Sequence, residues 1–177
     1  YDLPSPLVER VRSIPGRFYE RAPKNLNPVR EGRTAPAPLD DYATIAVAET
    51  MQGWPLSGAV HGLSYAYEPD PDGSYTLLNR IASNVVDSRD WPRRVKWLRA
   101  VGVGSLLVPA SPPVPAGSGL ALEMTEARAG VPSSLYRVLS PLPGVRRASR
   151  VLGSRSVNEA VESFDGAGFD PATDVVV

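Results

Sequence analysis

The sequence contains no cysteine. That excludes disulfides, thiolate nucleophiles and cysteine-based zinc sites. There is one histidine, His61, so only carboxylates could complete a transition-metal site. No metal ligand is assigned, and no cofactor is expected. Lysine is confined to Lys24 and Lys96; the other basic residues are arginines. Formal net charge is zero, which removes bulk electrostatic attraction to an anionic membrane and leaves no nucleic-acid partner expected. No apolar run approaches the roughly 18–20 residues that cross a bilayer. A charged-then-apolar signal peptide is also missing. The chain opens at Tyr1 and reads as a mature product or an excised piece of something larger.

What is present suits a folded domain. The 177 residues are 42% hydrophobic and 21% charged, enough apolar material for one ordinary core. The 19 prolines imply stiff, irregular connections. We expect a single α/β domain over 1–177, with an N-terminal helix and lead-in over 1–16 and a mixed sheet with helices over 17–177.

The organising stretch is 93–109. Trp91, Val95, Leu98 and Val101 recur at helical spacing, Gly102 stops the helix, and Ser105 to Val108 follow as an apolar strand. Upstream, Ser5 and Pro6 open a short helix whose face is Leu7, Val11 and Ile14. Pro15-Gly16 ends it, and Arg17 to Arg21 alternate charged and large apolar groups as a first strand. Residues 22–39 read as loop and 42–52 as helix, with a strand over 44–47 as the alternative. A helix runs from Ser74 to about Val86, with Ile81, Ala82 and Val85 on its buried side.

Downstream, 120–127 and 134–139 read as two strands of a hairpin, and 145–152 as another strand. Ser156-Val157-Asn158-Glu159 is a capping box opening a helix with Val157, Ala160, Val161 and Phe164 on one side. Residues 174–177 close the chain as a strand. This order predicts an α/β fold: a mixed β-sheet flanked by helices, with parallel crossovers in the first part and antiparallel hairpins in the second.

Chemistry is sparse. His61 admits three readings: general base, metal ligand or plain structural histidine. Histidine catalysis needs positioned partners, which favours the structural one. Gly62-Leu63-Ser64-Tyr65-Ala66 is a distant match to a nucleophile elbow, but the only histidine precedes Ser64 and a proline-rich turn delays the next helix. A free-standing small-molecule-binding or hydrolytic domain centred on His61 and Ser64 is the alternative functional reading. Asp70-Pro71-Asp72-Gly73 lacks the closing glutamate of a calcium loop and reads as a turn. Gly102-Val103-Gly104-Ser105 follows a helix and precedes a strand, the reverse of a phosphate-binding loop. Arg93-Arg94 and Arg146-Arg147 with Arg150 form either anion sites or solvated faces and partners for acids. Trp54, Tyr65 and Tyr67 could line a sugar-binding surface, against the alternative that they are core.

The order of features resembles a known family. Pro15-Gly16-Arg17-Phe18 is similar to its "pgRv" segment. Trp97-Leu98-Arg99-Ala100-Val101-Gly102-Val103-Gly104-Ser105-Leu106-Leu107-Val108 resembles "L-x-x-L-G-V-x-Y-V-V", with Ser105 or Leu106 standing where tyrosine is usual. Ser134 to Val138 resembles the "vyr" strand, Pro143 to Val151 "lPRaflv", Val157 to Val161 "s-x-e-e-A-l", and Phe169-Asp170-Pro171 with Val175 to Val177 "fDP…vvl". The chain thus resembles the soluble extracytoplasmic region of YfhO-like bacterial multi-pass membrane proteins, which are related to GT-C glycosyltransferases.

The resemblance implies a location on the extracytoplasmic face of the bacterial inner membrane. It implies a partner in the transmembrane part of the same polypeptide, and contact with glycan or lipid-linked sugar. In GT-C enzymes the catalytic acid lies near the first transmembrane helices, so the resemblance places no catalytic residue here. The expected role is a non-catalytic domain that assists glycan or acceptor binding in cell-envelope sugar transfer. Trp54, His61 and Tyr65 are the candidate binding residues.

Overall fold

The structure is a computed structural model and describes residues 6–20, 62–67, 77–128 and 131–177, without side chains at 77–80, 127, 128 and 131. Among the described residues ten elements follow one another: α1 (Pro6–Ser13), β1 (Arg17–Glu20), α2 (Leu77–Ser88), α3 (Trp91–Ala100), β2 (Val103–Pro109), β3 (Leu120–Arg128), β4 (Val131–Val138), β5 (Arg150–Leu152), α4 (Val157–Asp165) and β6 (Asp174–Val176). The expected helix over 42–52, the turn at 70–73 and the first residues, 74–76, of the helix expected from Ser74 lie outside the described residues.

Four strands form a mixed sheet in the order β1-β2-β4-β3. β1 runs parallel to β2, β2 antiparallel to β4, and β3 antiparallel to β4. The fold is therefore the expected α/β arrangement, with a parallel pair early and a hairpin later. The hairpin meets β2 through its second strand, so β3 lies at the far edge. β5 and β6 form a separate two-stranded parallel ribbon.

The main sheet is covered on both faces. Alternation sends Tyr19, Leu106, Val108 and Val138 to one side, where they pack with Val86 of α2 and with Val95 and Leu98 of α3. Phe18, Leu107 and Leu135 go to the other side and meet Leu7, Val11 and Ile14 from α1 and its end. This explains a difference from the sequence reading of β1. Phe18 and Tyr19 are both buried, because a strand covered on two faces needs apolar groups in succession. The same cause gives β2 its unbroken buried run from Val103 to Val108. In α2 the fully buried residue is Val86, while Ile81, Ala82 and Val85 are half-buried.

The α3–β2 stretch is fastened at both ends. Asp90 accepts the Arg93 amide at 3.1 Å as the N-cap, with Pro92 in the first turn. Gly102 takes a left-handed φ of +74°. Gly104 allows a backbone approach: a Cβ there would lie 1.9 Å from the Pro15 carbonyl oxygen. The Pro15-Gly16 turn thus rests directly on β2, and the Arg17 amide donates to the Gly102 carbonyl at 2.8 Å. The glycine pair joins α1 and β1 to the central strand.

Two further departures concern the C-terminal part. The strand expected over 145–152 is reduced to Arg150–Leu152. Arg146 instead turns its guanidinium onto the Ala100 and Pro171 carbonyls, each at 2.8 Å, tying the chain to the end of α3. The capping box at α4 forms with a shift: Ser156 accepts from the Glu159 amide at 3.2 Å, while Glu159 reaches the amide of Arg155 at 2.7 Å, one residue before the cap.

Candidate functional site

Of the expected binding residues, only Tyr65 falls within the described part of the chain; Trp54 and His61 lie outside it. Tyr65 is half-buried, forms a parallel bridge with Phe18, and stacks edge-on against that ring at 5.4 Å and 62°. It packs against the core cluster beneath α1. Tyr67 packs against the opposite cluster, edge-on to Tyr19 at 6.1 Å, and burial pushes its phenol pKa up, against a lowering influence from Arg17. The two tyrosines thus pack, half-buried, against the two core clusters. Ser64 is exposed, and its carbonyl accepts the Phe18 amide at 2.7 Å.

The arginines divide by role. Arg93 is exposed and lies 3.9 Å from Asp90. Arg94 is buried, and neither an anion site nor a solvated face describes it. Its guanidinium donates to the carbonyls of Val86 at 3.0 Å, Asp87 at 2.8 Å and Arg89 at 2.9 Å. It also lies 4.4 Å from the Trp91 ring centroid. A cation thus closes the C-terminal end of α2, where carbonyls without helical partners gather. Arg150 pairs with Asp174.

The structure adds a cavity that no single stretch of sequence indicates. It is an open cleft of about 400 Å³ between α2, α3, α4 and β6. Its walls include Ile81, Val85, Trp97, Val161, Phe164 and Val176, with Arg146 and Asp174 as the charged lining residues. The apolar face read from Val157, Ala160, Val161 and Phe164 supplies one wall. Trp97 lies with its ring centroid 4.0 Å from that of Phe164, and Phe164 lies 4.6 Å from Phe169. The Trp97 indole N–H donates to Asp165 at 2.8 Å, and Arg89 donates to the other oxygen of that carboxylate at 2.6 Å. The indole orientation is therefore fixed from outside the cavity.

Electrostatics around the cavity are largely satisfied internally. Asp174 accepts from Arg150, from the Asp170 amide at 2.9 Å and from the Thr173 hydroxyl at 3.1 Å. The Arg150 hydrogen bond, followed by that amide, holds its carboxyl well below the usual carboxylate range. Lys96 donates to the Gly166 carbonyl at 2.9 Å, with its ammonium 5.5 Å from the Phe164 centroid and 5.2 Å from that of Phe169. Burial lowers its pKa, and Asp165, Asp170 and Asp174 pull in the opposite direction. Arg146 spends Nε on Pro171 and one terminal nitrogen, Nη1, on Ala100. No partner for its Nη2 occurs among the described residues.

Among the described residues, no group of three or more histidine, aspartate or glutamate side chains is placed to hold a metal ion. No helix among them is long and apolar enough to cross a membrane. What the arrangement can do is bind: it offers apolar walls, one fixed indole and one guanidinium with a spare donor. Comparison with family models, curated proteins and solved structures finds no match to this chain.

Proposed function

We propose that the chain is a non-catalytic extracytoplasmic domain of a YfhO-like, GT-C-related membrane protein, and that its cavity assists ligand binding during cell-envelope sugar transfer. One observation carries the reading. Four of the six stretches that support the resemblance meet at the cavity: Trp97 comes from "L-x-x-L-G-V-x-Y-V-V", Arg146 from "lPRaflv", Val157, Ala160 and Val161 from "s-x-e-e-A-l", and Phe169 with Val175 and Val176 from "fDP…vvl". Segments far apart in sequence thus share one concave, mostly apolar surface, the usual form of a small-molecule site.

Topology mapping tests the proposal. Alkaline phosphatase fused within this domain in the full-length protein should be active, and β-galactosidase fused at the same point inactive. The flanking reading frame should encode apolar helices of spanning length. A cytoplasmic fusion pattern, or flanks without such helices, overturns it.

A further inference from the structure

We infer that the cavity takes the alkyl chain of a single-chain carboxylate amphiphile, with Arg146 meeting the head group. This rests on the preceding reading only in taking the cavity as the binding site. The argument is an account of polar groups. Trp97 has given its N–H to Asp165, and the Asp174 carboxylate is occupied by Arg150, Thr173 and the Asp170 amide. The remaining walls named above are hydrocarbon or aromatic. A sugar would bring hydroxyls that find few partners there and would lose their water. An alkyl chain gains with each methylene removed from water.

The head group follows from the charges. Arg146 is the cation in the lining and keeps Nη2 without a partner among the described residues. A carboxylate would accept one charge-assisted hydrogen bond there. Asp174, the other charged residue of the lining, opposes a second negative charge, which favours a carboxylate over a phosphate monoester. The volume of about 400 Å³ is near the lower end for ligand pockets, roughly 300–1,000 Å³, and suits one chain.

The test titrates the chain with dodecanoate below its micelle-forming concentration. Methyl NMR should show saturable shifts at Val161 and Val176. Tryptophan emission should respond in the parent and lose that response in Trp97→Phe. Dodecanol should bind about tenfold more weakly, the worth of one charge-assisted hydrogen bond. Arg146→Gln should bring dodecanoate down to the dodecanol level. Because Arg146 also braces two carbonyls, Ala160→Phe provides an independent variant, filling the cavity from α4 and abolishing the binding of both ligands. Equal affinity for dodecanol and dodecanoate, unchanged binding in Ala160→Phe, or methyl shifts produced by maltotriose in place of dodecanoate would each overturn the inference. A cytoplasmic fusion pattern with dodecanoate binding intact would instead overturn the family reading alone.

Discussion

At the scale of single residues, Gly104 and Arg94 make contacts that few other side chains could reproduce. Gly104→Ala places a methyl group 1.9 Å from the Pro15 carbonyl oxygen, and both sides of that contact are backbone. The cost should reach the upper end for overpacking, about 3 kcal/mol. Gly102→Ala must hold a left-handed φ, a penalty of roughly 1–2 kcal/mol. Urea denaturation should therefore rank Gly104→Ala as the more damaging change; the opposite order would refute the tight contact. Arg94→Met should cost about 3 kcal/mol, because carbonyls of Val86, Asp87 and Arg89 lose a buried donor. Arg94→Lys should recover little, since one ammonium lacks the planar fork that reaches all three. Full recovery by lysine would show that charge alone matters.

Among the elements, β3 shows how a local irregularity positions a charge. Leu122 faces Tyr136 and Met124 faces Leu135, so Glu123 is the extra residue of a bulge. There it accepts from Arg137 Nε at 2.7 Å and from Arg10 Nε of α1 at 3.1 Å. The Arg137 hydrogen bond, then that of Arg10, depresses the Glu123 pKa. A depressed acid stabilises the fold above its unfolded pKa of about 4.3, and the contribution disappears as pH falls through the folded value. Thermal unfolding from pH 6 downward should show the parent losing Tm faster than Glu123→Gln below about pH 4.3. Parallel curves would mean that the cluster contributes nothing.

Some elements were legible in the sequence. The spacing of Trp91, Val95 and Leu98 and the stop at Gly102 marked α3 and β2, and Ser156 marked the start of α4, because these signals act over a few residues. Burial on two faces was not legible in β1, since alternation presumes one wet face. Nor was the shortened strand before Leu152, where Arg146 prefers carbonyls from two other segments. The cavity depends on residues from Ile81 to Val176 meeting in space, which no local pattern encodes. Of the binding residues read from sequence, Tyr65 is core-packed, and Trp54 and His61 fall outside the described residues.

For the whole molecule, β2 is the shared partition. Leu106 faces the α2–α3 side and Leu107 the α1 side, so neither cluster can dissolve without exposing the same strand. Leu7→Ala should cost about 2–5 kcal/mol, as buried leucine truncations do. Trp91 and Trp97 pack on the opposite side. In a Trp54→Phe background, their emission should nonetheless report the same lowered midpoint as far-UV circular dichroism. Separate midpoints would show two independent cores.

The bulge has one more consequence, for the behaviour of the protein in concentrated solution. Among the described residues, β3 has a strand neighbour on one side only, and Leu122 is 59% exposed on it. A long, regular edge bearing apolar side chains invites strands of other molecules to continue the sheet. The extra residue at Glu123 interrupts that regularity, and the two half-exposed arginines that clasp its covered carboxylate place charge in the middle of the edge strand. The residue that joins α1 to the sheet thus also serves as a gatekeeper against aggregation.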